Sequence, residues 1–158
     1  MTRGRYIYPF FEPPDRPARP HLPLRIVNPT TRQRLTWDCL IDTGADACLF
    51  PRAVAGLTGH NLKGEGVRGS ITGGIEGHPV RVWQHSFVLE LLDPICSDRV
   101  VWESAVTQNA CHEHDECPPL LGEEDFLRHF KVTLDYAQGL TTIQWAQGVR
   151  HRQNSRNP

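Results

Sequence analysis

Alternation of apolar and polar residues is the dominant pattern in the middle of the chain. Leu22, Leu24 and Ile26 alternate with other residues, the period of a strand with one buried face. Asn28-Pro29-Thr30-Thr31 reads as a turn. Leu35 to Ile41 is a second strand and runs into Asp42-Thr43-Gly44; Ala47 to Phe50 is a short third. Pro51 suits the first position of a short helix, which Gly56 or Gly59 would stop. Residues 64–77 hold six glycines, flanked by Val67 on one side and Val80, Val82, Phe87 and Leu89 on the other. That is the pattern of a hairpin with a Gly-rich tip. Val100 to Val106 is a further strand. Leu120-Leu121-Gly122 leads into residues 123–130, with acids first and basic residues last, which suits a helix dipole. Phe126, Leu127 and Phe130 would share its buried face. Val132, Leu134 and Tyr136, a turn at Gln138-Gly139, and Leu140 to Trp145 make a closing hairpin. The expectation is an all-β chain with one or two short helices.

The two ends read differently. Seven of the 13 prolines fall in the first 29 residues, and proline neither donates to a ladder nor enters a helix interior. Residues 1–20 are therefore expected as an extended arm, laid through Tyr6, Ile7, Tyr8, Phe10 and Phe11 on something such as a partner subunit, or removed as a propeptide. Residues 149–158 are a polar tail. Between them, residues 21–148 are expected to form one domain, a size that 158 residues allow.

Charge and composition narrow the function classes. Lys and Arg number 17 against 18 Asp and Glu, a formal charge of −1, which argues against a nucleic-acid module. No apolar run approaches the roughly 18 residues that would span a membrane. The basic start Met1-Thr2-Arg3-Gly4-Arg5 is not followed by an apolar signal core. Five cysteines are odd in number and sparse for a disulfide scaffold, so reduced thiols and a cytoplasmic location are expected.

Chemistry concentrates in Leu40-Ile41-Asp42-Thr43-Gly44-Ala45-Asp46. Asp-Thr-Gly alone is a weak signal, but here it closes an apolar strand. The glycine would let the chain turn tightly and bring backbone N–H groups near the carboxylate. Downstream come the Gly-rich hairpin and then Leu120-Leu121-Gly122, again apolar-apolar-Gly. This order resembles the retropepsin-like aspartic proteases, the single-domain relatives of pepsin, across residues 22–146. The resemblance implies an all-β acid-protease fold, a closed barrel-like half of a pepsin with a flap hairpin. It also implies peptide-bond hydrolysis by a water activated between two aspartates, with no metal or organic cofactor.

Of nine aspartates, only Asp42 precedes Thr-Gly or Ser-Gly. The implied catalytic pair therefore needs a homodimer with its two-fold axis between two Asp42 side chains. By the same resemblance Thr43 bonds across that axis, and Gly44 contacts the substrate backbone. Ala45 and Asp46 line the cleft, and Thr72, Gly73, Gly74 and Ile75 form the flap tip. Leu40, Ile75 and Leu121 wall the cleft for extended peptides with apolar side chains near the cut. The chain departs from the family in one respect. The Gly of the second motif is commonly followed by Arg, which pairs with the Asp of the first; here Glu123-Glu124-Asp125 follows. That departure is what a second reading builds on: a dimerisation or peptide-binding module that has lost catalysis.

A third reading starts from Cys111-His112-Glu113-His114-Asp115-Glu116-Cys117, which has zinc-ligand residue types. The cysteine spacing does not match a zinc knuckle and no second knuckle exists, so a solvated acidic loop is expected, with a Cys111–Cys117 disulfide open in an oxidising medium. Trp37, Trp83, Trp102 and Trp145 are expected on half-buried strands, and His78 and His85 as exposed.

Overall fold

The computed structural model describes residues 4–73 and 78–145. Two sheets make up the molecule. The larger contains β2 (His21–Val27), β3 (Arg34–Ile41), β4 (Leu49–Phe50), β5 (Gly69–Gly73), β6 (Pro79–Leu92), β7 (Val100–Glu103), β8 (Thr107–His112) and β9 (Leu120–Leu121). The smaller contains β1 (Arg5–Pro9), β10 (Phe130–Asp135) and β11 (Leu140–Trp145). One helix, α1 (Arg52–Leu57), follows β4.

The larger sheet runs β2-β3-β9-β4-β8-β6-β5, with β7 also on β6. Residues Val88 to Leu91 of β6 pair back onto β2, with Leu24 opposite Leu91 and Ile26 opposite Leu89. The path from β2 to β6 thus returns to its start, and the sheet closes on itself. Closure places Leu22, Leu24, Ile26, Phe50, Phe87, Leu89 and Leu91 in one core with no exposed surface. Burying each such side chain contributes roughly 1.5–3 kcal/mol. The alternation read from the sequence holds here, with Leu22, Leu24 and Ile26 all on the inner face. The fold is all-β, as expected.

The proline-rich arm carries a strand of its own. β1 pairs antiparallel with β11, Arg5 opposite Gln144 and Pro9 opposite Leu140. Tyr8 is 2% exposed and donates its hydroxyl to the Leu92 carbonyl at 2.8 Å. Burial, with Asp93 nearby, pushes its phenol well above the usual range. Tyr8 of the arm thus packs on its own chain, while Ile7 and Phe11 are exposed.

Four further expectations change. Pro51 stands at the N-cap of α1 rather than at its first turn, and Gly59, with φ +82°, ends the helix after Thr58. Residues 123–130 do not form the expected α-helix; a 3-10 turn covers Leu127–His129 alone. Leu127 and Arg128 N–H reach back five residues, to the Gly122 and Glu123 carbonyls, and His129 N–H reaches back three, to Phe126, so the regular four-residue ladder does not form. Phe126 and Phe130 are nevertheless buried. Finally, Thr107–His112 is a strand, β8, paired with both β4 and β6. Cys111 is therefore a core residue rather than the edge of a solvated loop, and burial pushes its thiol up to about 12. His85, expected as exposed, is buried.

Candidate active site

β3 and β9 lie parallel, with Leu40 beside Leu120 and Ile41 beside Leu121. The two apolar-apolar motifs, 80 residues apart in sequence, are therefore aligned in register, and Asp42 emerges where Gly122 does. The alignment is held by Leu40 N–H to the Pro119 carbonyl at 2.8 Å and Asp42 N–H to the Leu121 carbonyl at 3.1 Å. On its other side β3 donates Ile41 N–H to the Pro20 carbonyl at 2.9 Å. Asp42 is thus fixed by backbone bonds on both flanks of its strand.

Beyond the strand the chain turns. Ala45 N–H returns to the Asp42 carbonyl at 3.2 Å, and Gly44 N–H donates to Asp42 Oδ1 at 3.0 Å. The expected approach of a backbone donor to the carboxylate is present. Asp42 is half-buried, while Thr43, Gly44 and Asp46 are exposed and Ala45 is half-buried. The steric demand falls on the other glycine. Gly44 does not have a positive φ, whereas a Cβ at Gly122 would run into the Ala47 backbone. Only glycine lets the two loops approach so closely.

That approach is stitched at several points. Glu123 N–H bonds the Ala45 carbonyl at 2.9 Å and Glu124 N–H the Asp46 carbonyl at 2.8 Å. Gly122 N–H reaches Cys48 Sγ at 3.4 Å. Burial is the main cause that pushes the Cys48 thiol up to about 12; the Gly122 bond opposes it and the Asp125 charge adds to it. Asp125 Oδ2 accepts Cys48 N–H at 2.9 Å and Asn109 Nδ2–H at 3.0 Å. Sequence reading missed this last cluster. Asp125 looked like one of three acids opening a helix, and Asn109 lay in a stretch not read as a strand.

The predicted substrate residues divide. Leu121 was expected to wall a cleft but is 0% exposed and packs in the core. In a strand flanked by β3 and β4, its side chain points inward and only its carbonyl serves Asp42. Leu40 is half-buried. Thr72 and Gly73 lie at the exposed end of the β5–β6 hairpin, with Gly73 opposite Pro79. Gly74 and Ile75 lie outside the described residues. At the root of this hairpin Gly69 faces Trp83, and the Lys63 ammonium sits 4.6 Å from the centre of a Trp83 ring while bonding Glu113 at 3.4 Å. The His60 and His85 rings lie with centres 4.7 Å apart, tilted by 43°, and pin their segments through the Ser86 and Leu62 carbonyls.

Asp46, Glu123 and Glu124 form no ion pair among the described residues. Nor, among those residues, do three His, Cys, Asp or Glu side chains converge to hold a metal ion. Among the described residues no helix is long and apolar enough to cross a membrane.

No protein-family pattern and no curated protein sequence matches the chain. Among solved structures it is similar to a retropepsin-like aspartic protease from Rickettsia conorii. The two share 15% identity over 91% of this chain and 92% of that one, with a TM-score of 0.61. It also aligns with the EIAV protease complexed with the inhibitor HBY-793, at 20% identity over 74% and 93% of the two chains and a TM-score of 0.48. The chain has the retropepsin-like fold.

Proposed function

We propose that the protein is an aspartic endopeptidase that acts as a homodimer, one Asp42 from each copy. The observation that carries this reading is the in-register pairing of Leu40-Ile41-Asp42 with Leu120-Leu121-Gly122. It leaves a half-buried carboxylate at the end of a rigid strand, with a backbone N–H on one oxygen. A single chain supplies one such carboxylate, so a second copy must supply the other.

The chemistry follows from like charges. Two carboxylates about 3 Å apart cannot both ionise, so they share one proton. The ionised group takes a proton from a bound water, the protonated one donates to the scissile carbonyl, and the roles then exchange. The pair titrates with shared pKa values that belong to neither residue alone. Thr43 braces the two loops across the axis, and the Gly44 carbonyl receives substrate backbone. Ala45 and Asp46 line the cleft. The hairpin bearing Thr72, Gly73, Gly74 and Ile75 closes over an extended peptide and adds to it as a strand. No metal or organic cofactor enters these steps.

Cleavage of an unfolded protein between pH 4 and 7 tests the reading, with Asp42→Asn as the control. The expected result is activity that rises with dimer concentration and falls at least about 10³-fold in the variant, the scale of losing acid–base catalysis. Equal rates in the two proteins would sink it. The carboxylates of Asp46, Glu123 and Glu124, which form no ion pair among the described residues, favour a second reading as a non-catalytic peptide-binding dimer. A folded dimer that binds peptides but cleaves none at any pH would establish that one.

A further inference from the structure

We propose that Asp125 is a positioning residue for Asp42, acting through the loop 42–48. The inference rests on the protease reading above. The loop leaves β3 at Asp42 and re-enters the sheet at β4, and its last backbone donor before β4 is Cys48 N–H. That donor ends on Asp125 Oδ2 at 2.9 Å. The same oxygen accepts Asn109 Nδ2–H at 3.0 Å. Asn109 belongs to β8, which pairs with β4 and β6, and is 1% exposed. The carboxylate thus links the far end of the Asp42 loop to the middle of the closed sheet.

The polarity of the cluster sets its geometry. Asn109 Oδ1 is buried with no protein partner among the described residues, so the amide is oriented by what its nitrogen binds. Only the NH2 end can face a carboxylate oxygen. Removing the carboxylate leaves two donors, Cys48 N–H and Asn109 Nδ2–H, with no acceptor in a part-buried site, which is costly. The loop would then keep its bonds at Asp42, to Glu123 and Glu124, and from Gly122 N–H to Cys48 Sγ, but lose the anchor of its last backbone donor. An asparagine at position 125 keeps one oxygen able to accept both donors, and so separates loss of the acceptor from loss of the charge.

Asp125→Ala and Asp125→Asn are compared with the parent chain at concentrations where each is shown to be folded and dimeric. In Asp125→Ala, kcat per folded dimer is expected to fall about 10- to 100-fold with KM little changed, since small displacements of a reacting group cost on this scale. Asp125→Asn is expected to stay within about threefold of the parent. A side chain that merely stabilised the fold would lower the unfolding midpoint and leave kcat of the folded fraction alone. Amide hydrogen exchange supplies a readout independent of activity: residues 43–48 should exchange faster in Asp125→Ala, with β2 and β3 unchanged. Unaltered kcat and exchange in Asp125→Ala, or equal damage in both variants, overturns the proposal. If the parent chain shows no Asp42-dependent cleavage, the protease reading fails separately, and exchange alone then decides whether Asp125 holds the loop.

Discussion

The Asp42 loop and the β5–β6 hairpin are both glycine-bearing turns beside the candidate site, yet they are built oppositely. Five backbone or side-chain hydrogen bonds stitch residues 42–48 to residues 121–125. Every residue of β5 is exposed, Ile71 at 70%, and the strand is held along its length by β6 alone. The first arrangement suits a group that must not move, because catalysis is sensitive to misplacement. The second suits an element that must open, because few buried contacts mean a low cost of local opening. The glycines differ in the same way. At Gly122 a side chain has nowhere to go, whereas at Gly73 nothing lies within 4 Å.

Substitution at these two glycines tests that contrast most strongly. Gly122→Ala should destabilise the protein by about 3 kcal/mol, since the clash is with backbone rather than a flexible side chain. Gly73→Ala should change stability by less than about 0.5 kcal/mol. Urea unfolding midpoints measure both, and similar values for the two would remove the distinction.

The root of the hairpin predicts a pH effect of intermediate size. Burial holds the imidazoles of His60 and His85 below the ordinary histidine range, and at His85 the facing His60 adds to the depression. An unfolded chain therefore takes up these protons first as the pH falls from about 6.5. The stability due to the neutral pair is complete above that pH and is lost as the pH drops toward the lower folded values. Unfolding midpoints at pH 7.5 and 5.5 should fall further in the parent than in His60→Gln. An equal fall in both would mean that other groups carry the acid sensitivity.

The smallest expected effect is at Lys63. Its ammonium lies over Trp83 and is mostly exposed, so Lys63→Ala should cost about 0.5–1 kcal/mol. Proteolysis within residues 64–73 should quicken modestly while the Asp42 loop is unaffected. Protection equal to that of the parent would mean that the Lys63–Trp83 contact does not hold the root of the hairpin.

Much of this molecule is determined by its sequence. Leu22, Leu24 and Ile26 alternate because a closed sheet buries one face of each strand, and the closing hairpin at Gly139 takes the left-handed turn that glycine permits. The position of Asp42 at a strand end, and the arithmetic of one Asp-Thr-Gly per chain, are likewise legible, because they depend on local pattern alone. Tertiary structure decided the rest. Leu121 reads as apolar whether it faces a substrate or the core, and only the β3–β9–β4 pairing turns it inward. Residues 123–130 carry helical signals, but Leu127 and Arg128 N–H bond the carbonyls five residues back, Gly122 and Glu123, while Glu123 and Glu124 N–H tie the segment to the Asp42 loop. Asp125, Asn109 and Cys48 meet across 77 residues of chain. Periodicity reports which face of an element is apolar; which distant backbone groups meet beneath it is settled only when the sheet closes.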